Sequence, residues 1–197
     1  MSDEKLTEAK KFFDERVKGW MITDLKRSVS AGNNFLTALG CLTYTEVIGS
    51  FLPKVDGETG KTEERRFYRC LFRLPSADEF KSLDGIIRGE TTKQQGLYQH
   101  LRHSATHAYA PRIKRRAQDG TISYTPVAVA KVAKMNGKIK GCPPMGIDAK
   151  GYFVIATKNY VNELEQAIDS FYERIFTDNE PEWVASAKTG IDFIARG

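Results

Sequence analysis

Apolar residues recur at three- and four-residue spacing along most of this chain, which is the pattern of amphipathic helices. The first such stretch predicts a helix over 4–29, with the apolar stripe Phe12, Phe13, Val17, Trp20, Met21, Leu25 and Val29. Further stripes, bounded by Gly, Pro and Asn, predict helices over 34–52, 63–74, 91–109 and 159–176, and a short one closing at Gly89. A short last helix opens at Pro181 and runs through Trp183. The pattern therefore predicts a mostly α-helical fold.

The pattern changes between residues 120 and 157, where Gly, Pro and β-branched residues replace the helical stripes. Such a composition favours two or three short strands in a hairpin-like unit. The residues that mark it are Val127, Val129, Val132, the Asn136–Gly137 turn, Tyr152, Phe153, Val154 and Ile155. We expect one domain in which a helical bundle carries a small β-hairpin-like appendage. Its parts are a bundle at about 4–111 and 159–195 and an insertion at about 120–157, within a single domain over 1–197.

One acidic residue interrupts an apolar stripe of the second predicted helix. At about 100° per residue, Phe35, Leu39 and Leu42 share one face, and Glu46 falls in its middle. A carboxylate on an apolar face is costly unless it is paired or hydrogen-bonded. Glu46 is therefore either a buried structural anchor or a group that orients a functional residue.

Composition and cysteine usage place the chain among ordinary globular proteins. Of its 197 residues, 41% are apolar and 28% are charged. No apolar run approaches the ~20 residues of a membrane helix, and the polar start of the chain lacks a signal-peptide stretch. Cys41, Cys70 and Cys142 are odd in number and far apart, which argues against a disulfide framework or a thiolate zinc site. We expect a cytoplasmic protein with no membrane partner.

The positive charge is concentrated in one interval. The net charge is +5, yet residues 91–118 hold no acidic residue and carry +6, so the rest of the chain sums to −1. The basic residues of the interval are Lys93, Arg102, Arg112, Lys114, Arg115 and Arg116. A local basic field favours an anionic partner, with nucleic acid as the leading candidate, although a solvated basic face is the common alternative.

The same interval contains every histidine of the protein: His100, His103 and His107. An arginine holds a phosphate in a fixed fork, and a histidine can transfer a proton near neutral pH. Together, Arg102 and these histidines offer chemistry that suffices to cleave RNA without a metal.

Helical geometry restricts how that chemistry can be assembled. On an ideal α-helix, Arg102 points roughly 140° away from His107, so one straight helix does not aim both at one phosphate. Either the helix distorts, or two copies of it meet across a two-fold axis. The small residues Ser104 and Ala105 favour close helix packing, so we expect a homodimer with a composite site.

The run Leu101-Arg102-His103-Ser104-Ala105-Thr106-His107 resembles the motif of the HEPN superfamily of helical RNases and RNA-binding domains. In that motif an arginine and a polar residue are followed, after three residues, by a histidine, and the resemblance is to uncharacterised bacterial-type members. It implies a HEPN-like helical bundle, a dimer with its site between protomers, and metal-independent endoribonuclease activity with no cofactor. The polar position is His103 rather than the more frequent asparagine, and the β-like insertion is extra.

The resemblance and the residue chemistry suggest a role for each residue. His107 would be the general base on the ribose 2′-hydroxyl, whose attack on phosphorus gives a 2′,3′-cyclic phosphate. Arg102 would stabilise the charged phosphorane. His103 would orient these groups or protonate the leaving oxygen, and Glu46 and His100 would support them.

The remaining basic residues would bind RNA without reading its sequence. Flanking phosphates would be held by Arg112, Lys114, Arg115 and Arg116. Tyr98 or Tyr109 could stack on an unpaired base, although helix aromatics are more often core residues.

Two other functions stay open at this point. The first is a non-catalytic HEPN-like module that binds RNA or a protein, for instance in defence, with Arg102 and His107 in structural roles. The second is a metal site on the histidine stripe at His100, His103 and His107, although Arg102 adds repulsive charge and no Glu follows His103. An antitoxin or another regulatory protein is a further candidate partner.

Overall fold

The computed structural model describes residues 2–56, 58, 60–90, 95–103, 112–116, 122–130, 143–147 and 153–195. Within them the protein is mostly helical with a small β appendage, which confirms the predicted fold class. The helical elements are α1 (Ser2–Lys11), the π-helix π1 (Phe12–Ile22), α2 (Thr23–Ser30), α3 (Asn34–Gly49), α4 (Thr62–Leu71), α5 (Ala77–Glu90), the π-helix π2 (Tyr98–His103), α6 (Thr157–Tyr172), the π-helix π3 (Glu173–Thr177) and α7 (Pro181–Ile194). The strands are β1 (Arg112–Arg116), β2 (Ile122–Ala130), β3 (Met145–Ile147) and β4 (Phe153–Ala156).

The first predicted helix is confirmed as one continuous element, because α1, π1 and α2 follow one another without a break. Most of its apolar stripe faces the core, where Phe13, Val17 and Leu25 are buried, whereas Trp20 is 49% exposed. The turn that follows uses Gly32 at φ +78°, a backbone conformation that glycine adopts without steric cost. The next helix then begins at Asn34, so the predicted break is also confirmed.

The last helix is longer than predicted. It opens at Pro181 as expected but continues past Trp183 to Ile194. Gly190 does not end it, because this glycine lets the helix pass close to Phe51: a Cβ there would lie 2.6 Å from a ring carbon. The glycine is thus a packing contact inside a helix rather than a stop signal.

The strands form one sheet in the order β1-β2-β4-β3. β1 pairs with β2 and β3 with β4 in antiparallel fashion, whereas β2 and β4 are parallel. The appendage is therefore not a simple hairpin, and it begins at Arg112 rather than near residue 120. The reason is that β1, Arg-Ile-Lys-Arg-Arg, lacks the apolar alternation that marks a strand. Val132 and the predicted Asn136–Gly137 turn lie outside the described residues.

Helices and sheet contribute to one main hydrophobic core. From the sheet, Met145, Phe153 and Ile155 join the apolar residues of the helices in it. All four residues of β4 are buried, as expected for an inner strand covered on both faces.

In the part of the chain that the structure covers, no helix combines the length and the apolar character needed to span a membrane.

Candidate functional site

The helix that carries Arg102, π2, is anchored at its beginning by a buried polar cluster. The main-chain N–H of Leu97 donates a 2.7 Å hydrogen bond to Asp84 Oδ1, and that of Tyr98 donates one of 3.3 Å to Tyr68 Oη. Tyr68 in turn donates to Asp84 Oδ1 at 2.6 Å, and Arg88 Nε donates to Asp84 Oδ2 at 2.6 Å. These contacts from α4 and α5 satisfy main-chain donors that a helix start otherwise leaves without partners.

Gly96 makes this close arrangement possible. A Cβ at this position would lie 2.2 Å from Asp84 Oδ1 and 2.5 Å from Tyr68 Oη, so both side chains would have to shift to admit it. Burial, reinforced by the charge of Asp84, raises the pKa of Tyr68 well above its ordinary value. The Tyr68 hydroxyl therefore keeps its proton and remains a donor at physiological pH.

Farther along π2, Arg102 meets the acidic residue that interrupts the apolar stripe of α3. Arg102 Nε lies 3.0 Å from Glu46 Oε2, and the two side chains are only 16% and 14% exposed. The contact is an ion pair between two largely buried side chains. The carboxylate singled out by the helical wheel and the arginine of the motif are thus direct partners.

Burial dominates the electrostatics of Glu46. It raises the pKa of the Glu46 carboxyl, and the positive charges of Arg102 and Arg66 only partly offset that effect. The nearby charge of Glu63 adds to the increase. The carboxylate is held in a place where water stabilises its charge poorly, so it depends on the arginines around it.

Tyr98 is a core residue. It is buried, and its ring packs edge-on against Phe67 with centroids 5.6 Å apart. Burial and the charge of Glu46 raise the pKa of Tyr98 to about 12. Of the two roles predicted for Tyr98, the structure agrees with core packing and not with stacking on an RNA base.

The predicted basic residues Arg112, Lys114, Arg115 and Arg116 form β1, which is an edge strand of the sheet. This strand contacts both π2 and α5, so the basic run lies beside the helix that carries Arg102. Because neighbouring strand positions alternate between faces, positions 112, 114 and 116 belong to one face of the sheet.

The histidines are placed only in part. His100 is buried on π2, and His103 is the last residue of that helix. The side chain of His103, the whole of His107 and Tyr109 lie outside the described residues. Their predicted roles therefore stay predictions.

Metal ligation by the histidine stripe also stays a prediction. Among the residues that the structure describes, no group of three or more His, Cys, Asp and Glu side chains is arranged to hold a metal ion. Cys41 and Cys70 are buried free thiols whose pKa values burial raises far above the ordinary range, so neither is a reactive thiolate.

One arginine near Glu46 was missed in the sequence analysis. Arg66 of α4 places the centre of its guanidinium 3.5 Å above the ring of Phe193. The backbone of α4 is pressed against α3 here, since a Cβ on Gly49 would lie 1.8 Å from the Arg66 carbonyl oxygen. The helix containing Phe193 was predicted to be short, so no sequence signal brought these residues together.

Comparison of the chain with protein-family models, with curated proteins and with solved structures finds no match. The resemblance to the HEPN superfamily therefore rests on the motif residues and on the order of the helices alone.

Proposed function

We propose that this protein binds RNA and cleaves it as a metal-independent endoribonuclease of the HEPN type. The observation that carries the proposal is the Glu46–Arg102 ion pair, which holds the motif arginine on an anchored helix next to a basic strand. A guanidinium fixed in this way is prepared for a phosphate and loses little freedom on binding it.

In this proposal Arg102 is positioned by one partner and binds another. Glu46 contacts Nε, and the guanidinium binds the scissile phosphate. His107 removes the proton from the ribose 2′-hydroxyl, and the oxygen attacks phosphorus to give a 2′,3′-cyclic phosphate and a free 5′-hydroxyl. Arg102 stabilises the charge that develops on the phosphorane, and His103 supports proton transfer.

The basic strand supplies the rest of the binding surface. Arg112, Lys114, Arg115 and Arg116 hold flanking phosphates, which gives affinity without sequence preference. We place this activity in a cytoplasmic homodimer, with an antitoxin or another protein as its regulator. The winding of π2 departs from the ideal α-helix as far as His103. A site within one chain needs such a distortion between Arg102 and His107, whereas a second copy supplies the composite alternative.

A non-catalytic RNA-binding module is the second candidate, and one observation favours it. Arg102 already has a carboxylate partner and is mostly buried, as an arginine in a purely structural role would be. In that case the basic strand binds RNA and the Glu46–Arg102 pair only holds α3 and π2 together.

Cleavage assays in EDTA separate the two candidates. We expect the wild type to cut fluorescein-labelled single-stranded RNA to cyclic-phosphate products, and His107→Ala to lose about 100-fold or more in rate. Arg27→Ala, at an exposed arginine of α2, is the matched control and should cut at the wild-type rate. RNA whose 2′-hydroxyls are methylated should bind but stay intact. Equal cleavage by the wild type and His107→Ala would contradict the catalytic role, and binding without cleavage by either would select the non-catalytic module.

A further inference from the structure

Arg66 differs from the other arginines of α4. Arg65 and Arg69 both contact the carboxylate of Glu58, at 3.6 and 2.7 Å. Within the described parts of the chain, no hydrogen bond or ion pair engages the guanidinium of Arg66, which lies against the ring of Phe193. The three arginines of α4 therefore fall into two classes, and Arg66 is the one without a carboxylate contact.

The stacking on Phe193 determines which part of Arg66 stays available. All five N–H groups of a guanidinium lie in its plane, so a ring against its face leaves the donors at its edge unobstructed. The separation of 3.5 Å is that of close stacking, and Phe193 is itself 37% exposed at the end of α7. The ring thus fixes the plane of a half-buried guanidinium at the protein surface.

Arg66 also belongs to the surroundings of Glu46. The close approach of α4 to α3 at Gly49 places Arg66 about one helical turn from Glu46. The positive charge of Arg66 lowers the pKa of Glu46, as the charge of Arg102 does, whereas the negative charge of the exposed Glu63 raises it. Glu46 contacts Arg102 directly, which leaves Arg66 as the arginine of this group with no carboxylate contact.

We propose that Arg66, held flat against Phe193, is a second phosphate-binding residue for the RNA strand whose scissile phosphate Arg102 receives. The proposal rests on the proposed function and adds a subsite to it, formed by α4 and the end of α7. Arg66 binds a phosphate next to the one that is cut and thereby fixes the direction in which the strand crosses π2.

Salt dependence of binding tests this subsite. The probe is a fluorescein-labelled 2′-O-methyl oligouridylate, which cannot be cleaved, and the readout is fluorescence anisotropy over a range of salt concentrations. Each phosphate contact to a single strand contributes about 0.7 to the slope of log K against log salt. We expect Arg66→Gln to lower that slope by about 0.7, and Arg66→Lys to keep it because the positive charge remains.

Arg65→Gln is the matched control, since it removes the same charge from the same helix at a residue that already has a carboxylate partner. Its slope should equal that of the wild type. Phe193→Leu leaves Arg66 in place and should weaken binding with the slope retained, which covers the case in which Arg66→Gln folds poorly. Identical slopes for Arg66→Gln and Arg65→Gln would overturn the subsite while RNA binding by the wild type stands. A wild type that binds no RNA would overturn the subsite and the proposed function together.

Discussion

Two carboxylates hold the motif helix π2, and they hold different parts of it. Asp84 accepts directed hydrogen bonds from the main-chain N–H of Leu97 and from the Tyr68 hydroxyl, so it fixes the backbone where the helix begins. Glu46 pairs with the side chain of Arg102. The position of the helix and the position of its functional side chain are therefore controlled by separate residues.

The two surroundings also differ in how they respond to pH. In the Asp84 cluster, the raised pKa of Tyr68 keeps its donor proton in place throughout the physiological range. At the other position, burial raises the pKa of Glu46 even though Arg102 lies against it. We infer that the first cluster maintains the fold. In the second, burial raises the pKa of a carboxyl that is also in an ion pair, and shifted pKa values of this kind are common at functional sites.

The largest effect is expected from Asp84→Ala. The substitution removes the acceptor of three donors, which are the main-chain N–H of Leu97, the Tyr68 hydroxyl and Arg88 Nε, so we expect the free energy of unfolding to fall by about 3 kcal/mol. Urea denaturation measures it. Asp78→Ala, at a side chain that is 94% exposed on the same helix, should change the free energy by no more than about 0.5 kcal/mol. Similar losses for both variants would remove the distinction between Asp84 and an ordinary surface carboxylate.

A smaller loss is expected from Gly96→Ala. Its methyl group would overlap Asp84 Oδ1 and Tyr68 Oη, and the forced shift of these groups should reduce the free energy of unfolding by about 1–3 kcal/mol.

Gly85→Ala is the matched control for this change. It makes the same substitution within α5, where no other atom lies within 4 Å of the added Cβ. In an exposed helix interior, alanine is favoured over glycine by up to about 1 kcal/mol. The two variants should thus shift the urea midpoint in opposite directions, and a shift in the same direction would show that Gly96 is not required by the cluster.

Sequence periodicity identified the helices because their stripes face a shared core. The stripe over 34–52 became α3, which ends at Gly49, and the stripe over 159–176 became α6 and π3. The projection of the second predicted helix at about 100° per residue also identified Glu46 as a carboxylate that needs a partner. Its partner is Arg102, in another helix far along the chain, and no local pattern reports such a pairing.

Other features were hidden from the sequence for separate physical reasons. The charges of β1 conceal its strand character, because its register is set by pairing with β2 and not by an apolar face of its own. The π-helical winding of π2 could not be predicted, because the spacing of apolar residues was compared only with the α-helical period of 3.6 residues per turn. Arg66 resembles its neighbours in sequence, and only the packing of α7 distinguishes it.

The smallest expected effect concerns the pH dependence of Glu46. Its pKa is raised in the folded protein, so the folded state binds this proton more tightly than the unfolded chain does. The resulting stabilisation is complete below the ordinary carboxyl range and is lost as pH rises through the raised pKa. Glu46→Gln mimics the protonated form at every pH. We therefore expect the variant to gain stability relative to the wild type as pH rises, by less than the loss caused by Gly96→Ala.

Urea denaturation at several pH values between the ordinary carboxyl range and neutrality measures this difference. Glu4→Gln makes the same chemical change at an exposed residue of α1 and is the control for effects of a carboxylate-to-amide change that are not specific to Glu46. If Glu46→Gln instead lost stability relative to the wild type as pH rose, the attraction of Arg102 would outweigh burial. Glu46 would then be a structural anchor of the same kind as Asp84, and the difference in role between the two carboxylates would disappear.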